Sequence, residues 1–426
     1  MAFATQEIVY NIPNMEGNSS LKRFLANIYG YTFFNALMWL SPVYAVFMQS
    51  NGVSDIGISV LLMLWSGAII VTQFPLTWLA RKFGAKNVLF AGQVLKIVAF
   101  ILWIIWPCFV GFAIGMILWG MHGAIYDAIS EDVLYDEVQA RTHSNVYAKI
   151  LGRRRNIASA AKALSAAGSL LMFFGYEVIT AATVVCLALS MLFLMRMQLI
   201  EEYVGIGQNV SLGAQIKTGL ATFRQTPVLI ALLALCVMVT NFSYLNDYLS
   251  LIGVDIGLRP EFIGIVPFFM LCCQVAGQGV AHRFYNARWA WLYSLVIVSG
   301  ALFIVFAVYY NIWGLIALGA AYMLCSIVKI VTYAHFQDRT PSRHRMEVLS
   351  LYSMTDQATY MLVSLIIGLG SLFGSWRYSV LILGCMLGLV GIWATTCIRR
   401  YRQHRYTTQT PPTPGAVVRA DGIDVI

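Results

Sequence analysis

Apolar stretches long enough to cross a bilayer recur along the whole chain, twelve of them, six on either side of a charged segment near the middle. A bilayer core about 30 Å thick takes roughly 20 helical residues to cross, and soluble domains do not repeat such runs. The pattern predicts an all-α membrane protein with twelve transmembrane helices, at 25–48, 57–79, 88–106, 109–130, 152–174, 179–198, 227–250, 262–281, 290–309, 312–334, 350–373 and 378–397. Residues 1–23 then form a cytoplasmic N-terminal segment, 24–198 and 227–397 two membrane units, 199–226 a cytoplasmic linker, and 398–426 a cytoplasmic, disordered tail rich in Arg, Thr and Pro.

Composition agrees: 59% of residues are hydrophobic, 11% are charged, and eleven Trp suit the membrane interfaces. The eight Cys lie in or beside apolar spans, without disulfide or zinc-site spacing, and read as reduced packing residues. The first 23 residues carry two Glu before Lys22 and Arg23 and do not resemble a cleavable signal, so the first span serves as its own insertion signal.

The net charge of +9 raises the question of nucleic acid, but the placement of Lys and Arg answers it. Lys22, Arg23, Arg81, Lys82, Lys86, Arg141 through Arg155, Arg196, Lys217, Arg224, Arg283, Arg288, Arg339, Arg343, Arg345 and the tail all fall on one side; Arg259 and Arg377 fall on the other. This positive-inside asymmetry puts both termini in the cytoplasm, and short loops favour a bacterial inner membrane.

An internal repeat sets the architecture. Leu79-Ala80-Arg81-Lys82-Phe83 after the second span lines up with Val280-Ala281-His282-Arg283-Phe284 after the eighth at an offset of 201 residues, and Gln73 with Gln274. Thr77-Trp-Leu-Ala-Arg-Lys-Phe-Gly84-Ala-Lys86 resembles the Gly-x-Leu-x-Asp-Arg-x-Gly-Arg-Arg loop of the major facilitator superfamily, and Pro341-Ser-Arg-His-Arg345-Met-Glu-Val-Leu-Ser350 resembles its segment leading into helix 11. The resemblance covers about residues 20–400. It implies two pseudo-symmetric six-helix bundles rocking about a midplane site. Thr77 replaces the motif's Gly, and Arg81 its Asp, which locks the two halves on the cytoplasmic side, so that lock is not expected here. Trp119 replaces the Arg of proton-coupled members and Ala160 to Gly168 lacks the Gly-Pro of drug antiporters, and these two departures count against ordinary multidrug efflux.

Charge inside the membrane marks the candidate site, because an ionisable group in hydrocarbon costs several kcal/mol unless paired or wet. Asp127 lies nine residues deeper than Asp136, and Lys162 nine deeper than Arg153. Each is roughly 13 Å in, so the two pairs face at matching heights. Lys329 and Asp356 repeat the arrangement with signs exchanged, nine residues from Asp338 and Glu347. A solute carboxylate that takes a Lys from its Asp would free that Asp to accept a proton. Other candidate solute or coupling residues are His122, Gln73, Gln274, Asn35, Tyr31, Asn241 and Tyr244, with Arg81, Lys82, Asp136, Arg153 and Arg345 as a cytoplasmic gate. Lys96 is expected to snorkel to the interface, and Asp247 to sit too near the outer surface for the central site.

No phosphate-binding loop, His-Glu-x-x-His motif or nucleophile elbow occurs, so an enzyme is not expected, nor a cofactor or metal. The leading expectation is a proton-linked transporter of a small carboxylate-bearing or zwitterionic solute, organic acids and siderophore-like polycarboxylates included. Its partners are the solute, protons and the bilayer, not nucleic acid; the sequence leaves the oligomeric state open, a monomer included. The alternatives are an exporter of amphipathic drugs or lipids, and a non-transporting sensor or assembly partner that kept the fold.

Overall fold

The computed structural model describes residues 19–73, 75–142, 146–199, 212–225, 227–341 and 345–408. The expectations for the N-terminal segment to residue 18, for part of the linker (200–211 and 226) and for the tail from 409 lie outside the described residues. Everything described is helix or connecting turn, with no strand among the described residues.

In chain order the helices are α1 (Ser19–Ala36), α2 (Tyr44–Ser50), α3 (Asp55–Gln73), α4 (Leu76–Phe83), α5 (Ala85–Ile105), α6 (Phe109–Thr142), α7 (Tyr147–Ser165) and α8 (Tyr176–Arg196). There follow α9 (Leu212–Gln225), α10 (Pro227–Thr240), α11 (Leu249–Asp255), α12 (Ile265–Val280), α13 (Trp289–Val308), α14 (Leu315–Arg339), α15 (Arg345–Ser371) and α16 (Trp376–Thr408). The last helix continues to Thr408, past the membrane exit expected at 397.

Among the described residues ten helical segments are long and apolar enough to cross a membrane, against twelve expected spans. The first expected span is interrupted between Ala36 and Tyr44, where Pro42 lacks an amide proton and the chain turns. The eleventh lies in α15, whose Ser353, Thr355, Asp356, Gln357 and Thr359 lower its hydropathy. The second departure has a physical reason: a helix that faces the protein interior can carry polar groups that lipid would reject.

The break between α1 and α2 has its backbone groups satisfied by neighbouring side chains. The Met38 amide donates to Ser165 Oγ and the Leu40 amide to Thr183 Oγ1, each at 3.0 Å, and Lys96 Nζ donates to the Asn35 carbonyl at 2.9 Å. Gly168 permits the close approach there, since a Cβ on it would lie 2.0 Å from the Trp39 carbonyl oxygen.

The most extensive packing joins α13 to α16, α5 to α6, α3 to α6, and α3 to α15. The last of these joins the first half of the chain to the second. The turns with left-handed glycines Gly52, Gly175, Gly257 and Gly374 lie at the far end of the molecule, opposite the end that carries Ser19. Large apolar side chains such as Phe173, Trp291, Trp313 and Leu389 project outward, as on a lipid-facing surface.

Candidate functional site

Two clusters of charge lie between the halves, one from each. In the first, Asp127 of α6 and Lys162 of α7 are solvent-accessible, and Lys162 is the leading charged neighbour of Asp127. The two face one another without closing a direct ion pair. Among the described residues Lys162 has neither hydrogen-bond nor ion-pair partner.

Lys96 lies beside both, and here the structure corrects the sequence reading. Rather than reaching the interface, Lys96 is 3% exposed, with its ammonium on the Asn35 carbonyl and on Asn35 Oδ1, both at 2.9 Å. The helix break supplies the reason: a carbonyl freed at the end of α1 is a strong acceptor in a dry setting, and the lysine stem reaches it.

Arg154 is also buried, and no expectation placed it at the site. It donates from Nε to Thr32 Oγ1 at 3.1 Å and from Nη1 to the Ser130 carbonyl at 3.2 Å, with its guanidinium over the Tyr126 ring at 5.3 Å. The charged neighbours of Asp127 are thus three cations, Lys162, Arg154 and Lys96, and one further carboxylate, Glu131. Tyr31 packs on Tyr126 at 5.6 Å with its hydroxyl unpartnered, and His122 stacks on Tyr126 at 5.8 Å with Nδ1 unpartnered. The charged neighbour of His122 is Lys96, not the Asp127 anticipated for a relay.

In the second cluster, Lys329 of α14 and Asp356 of α15 are half-buried neighbours, again without a direct ion pair. Tyr244 donates to Asp356 Oδ1 at 2.9 Å. Lys329 has no hydrogen-bond or ion-pair partner among the described residues. Gln73 donates to Ser353 Oγ at 3.1 Å, joining α3 to α15, while Gln274 is half-buried in α12, which packs along α14.

Toward the far end the halves meet through Asp247, which joins the interior rather than the outer surface. Its carboxylate accepts the hydroxyl of Tyr44 at 2.9 Å and that of Tyr360 at 2.7 Å, and Lys162 is its charged neighbour across the cleft. The expected position near the outer surface does not exclude it from the interior, because the halves touch at this end. Ser59 pairs with Tyr248 at 2.8 Å, and Ser66 donates to Gln357 Oε1 at 2.7 Å. Trp65, Trp119, Tyr44 and Tyr360 form an aromatic roof, with ring centroids 5.6 to 6.0 Å apart.

The expected gate residues are dispersed. Lys82 sits over Trp78 at 4.7 Å, Arg153 over Tyr29 at 5.6 Å, and Asp136 is half-buried with partners of its own. The side chains of Arg81, Arg345 and Asn241 lie outside the described residues.

Charged side chains from both halves of the chain thus lie within a body of membrane-length helices. Residues 230–420 match the family model described as Major Facilitator Superfamily. No curated protein matches the chain. Among solved structures it is similar to the nucleoside transporter NupG, with TM-score 0.70 and 11% identity over 88% of this chain and 98% of that one. It is also similar to a D-xylose-proton symporter (0.65, 13%, 88% and 96%) and to a POT family transporter in complex with 5-aminolevulinic acid (0.65, 11%, 88% and 95%). At these identities the likeness is one of fold.

Proposed function

We propose that this protein is a proton-coupled secondary transporter of a small carboxylate-bearing organic solute. The observation that carries the reading is Lys162: an accessible ammonium inside the membrane, with no hydrogen-bond or ion-pair partner among the described residues. An unpaired charge in hydrocarbon surroundings is costly, and its cost falls when an anion arrives. Lys96 and Arg154 are already bonded to the protein and add positive potential behind it, so the cleft favours an anion over a cation.

In this reading the twelve expected spans form two six-helix bundles that rock about the midplane, and both termini face the cytoplasm. The far end is then extracellular and shut by the Tyr44–Asp247 contact, with the cleft reached from the cytoplasm. A solute carboxylate at Lys162 withdraws that cation from Asp127, which becomes the proton acceptor. The fold likeness to a D-xylose-proton symporter supports proton coupling.

The test is proton flux in proteoliposomes carrying an internal pH dye, on adding pooled carboxylates, zwitterions or hydrophobic cations to the wild type and to Lys162→Ala. Carboxylate-triggered flux that is absent from the variant supports the proposal; full flux in the variant overturns it. The aromatic roof favours a second reading, an exporter of amphipathic drugs or lipids. That reading predicts flux with hydrophobic cations and indifference to Lys162.

A further inference from the structure

The second unpartnered ammonium, Lys329, has no role yet. It lies nine residues from Asp338 along α14, as Lys162 lies nine residues from Arg153 along α7. That spacing sets one lysine in each half of the chain at a similar depth along its helix. In each half the lysine stops short of the nearby carboxylate. On the Lys329 side Tyr244 donates to Asp356 Oδ1 and to its carbonyl, at 2.9 and 3.0 Å. Lys329 has Asp356 as its charged neighbour without a direct ion pair to it.

Resting on the reading of Lys162 as the solute cation, we propose that the solute is a dianion whose two anionic groups engage Lys162 and Lys329 together. One anionic group leaves an unneutralised ammonium in the membrane; two neutralise both. A zwitterion would bring its ammonium to Lys329 or Lys162 and add a like charge. A solute held at both ends also ties the halves to each other, so its binding acts on the rocking equilibrium itself. Because the second contact is intramolecular once the first is made, a dicarboxylate of matching length gains affinity without new protein contacts.

The experiment is calorimetric titration of the purified full-length protein in detergent with propionate, with the dicarboxylates from malonate to pimelate, and with ω-amino acids of the same lengths. The wild type is expected to show an optimum at one dicarboxylate length, on the order of 100-fold tighter than propionate. Lys162→Met and Lys329→Met are each expected to flatten the series to the propionate level, and the double variant to add little. Lys329→Arg, which keeps the charge, is expected to retain a length optimum. It separates loss of the cation from loss of the fold, and unchanged thermal melting of the Met variants checks the same point.

A flat series, an unchanged series in Lys329→Met, or ω-amino acids sharing the optimum overturns the dianion assignment. Propionate binding through Lys162 with a flat series leaves the proposed function standing and removes this inference alone. If no carboxylate binds the wild type, both fall.

Discussion

The hydroxyl of Tyr44, at the start of α2, donates across the interface between the halves to Asp247, which also accepts Tyr360. One carboxylate thus ties together the broken first helix, the segment between α10 and α11, and α15. Hydrogen bonds to a charged group are worth about 1.5–3 kcal/mol each. Tyr44→Phe is expected to loosen the far end, and Asp247→Asn to loosen it further. The measurement is deuterium uptake in peptides covering 37–50 and 247–255, which should rise in both variants; unchanged uptake would show that the contact does not hold the far end closed.

Gly264 lies at the same closure, where an added Cβ would sit 2.1 Å from the Ala166 carbonyl. Backbone cannot move aside as a flexible side chain does, so Gly264→Val acts as a wedge between the halves. Expected are faster exchange on both sides of that contact and reduced transport with normal membrane insertion. Wild-type exchange rates would mean the chain relaxes around the methyl groups.

Gly168→Val makes a comparable clash with Trp39 inside one half. Overpacking of this kind costs about 1–3 kcal/mol, and here it falls on the folded body rather than on an opening equilibrium. The expected outcome is a lowered melting temperature in detergent with no selective change at the far end. A melt equal to the wild type would argue against this contact.

Lys96 and Lys162 differ in what they hold, and their variants should differ accordingly. Lys96→Met strips both acceptors of Asn35 at a buried helix end, a loss of about 1–3 kcal/mol in stability. Lys162→Met removes no bond within the protein. Melting curves are expected to drop for Lys96→Met and to hold for Lys162→Met, while solute-driven flux is lost in the latter. The reverse ranking would exchange their roles.

Much of this was legible in the residues. The depth of Asp127 and Lys162, and their mirrored counterparts Lys329 and Asp356, follow from counting along apolar helices of fixed rise. Lys96 carried the same depth signal, eleven residues into α5, but its length and flexibility also fit an interfacial lysine. Arg154 sat within a run of three arginines, and nothing in the run says which one turns inward to Thr32 and Ser130. Gln73 looked like a solute ligand, whereas the structure gives it Ser353 as a partner.

The sequence by itself determined the membrane class and the repeat, because these depend on distance along a helix, which chain position measures directly. Only the tertiary structure decided which charges are engaged and which are free: Lys96 bound at a helix break, Asp356 held by Tyr244, Lys162 and Lys329 left over, Asp247 joining the halves. Those outcomes depend on rotation about the helix axis and on which neighbour arrives first. Both are set by packing between segments far apart in the chain.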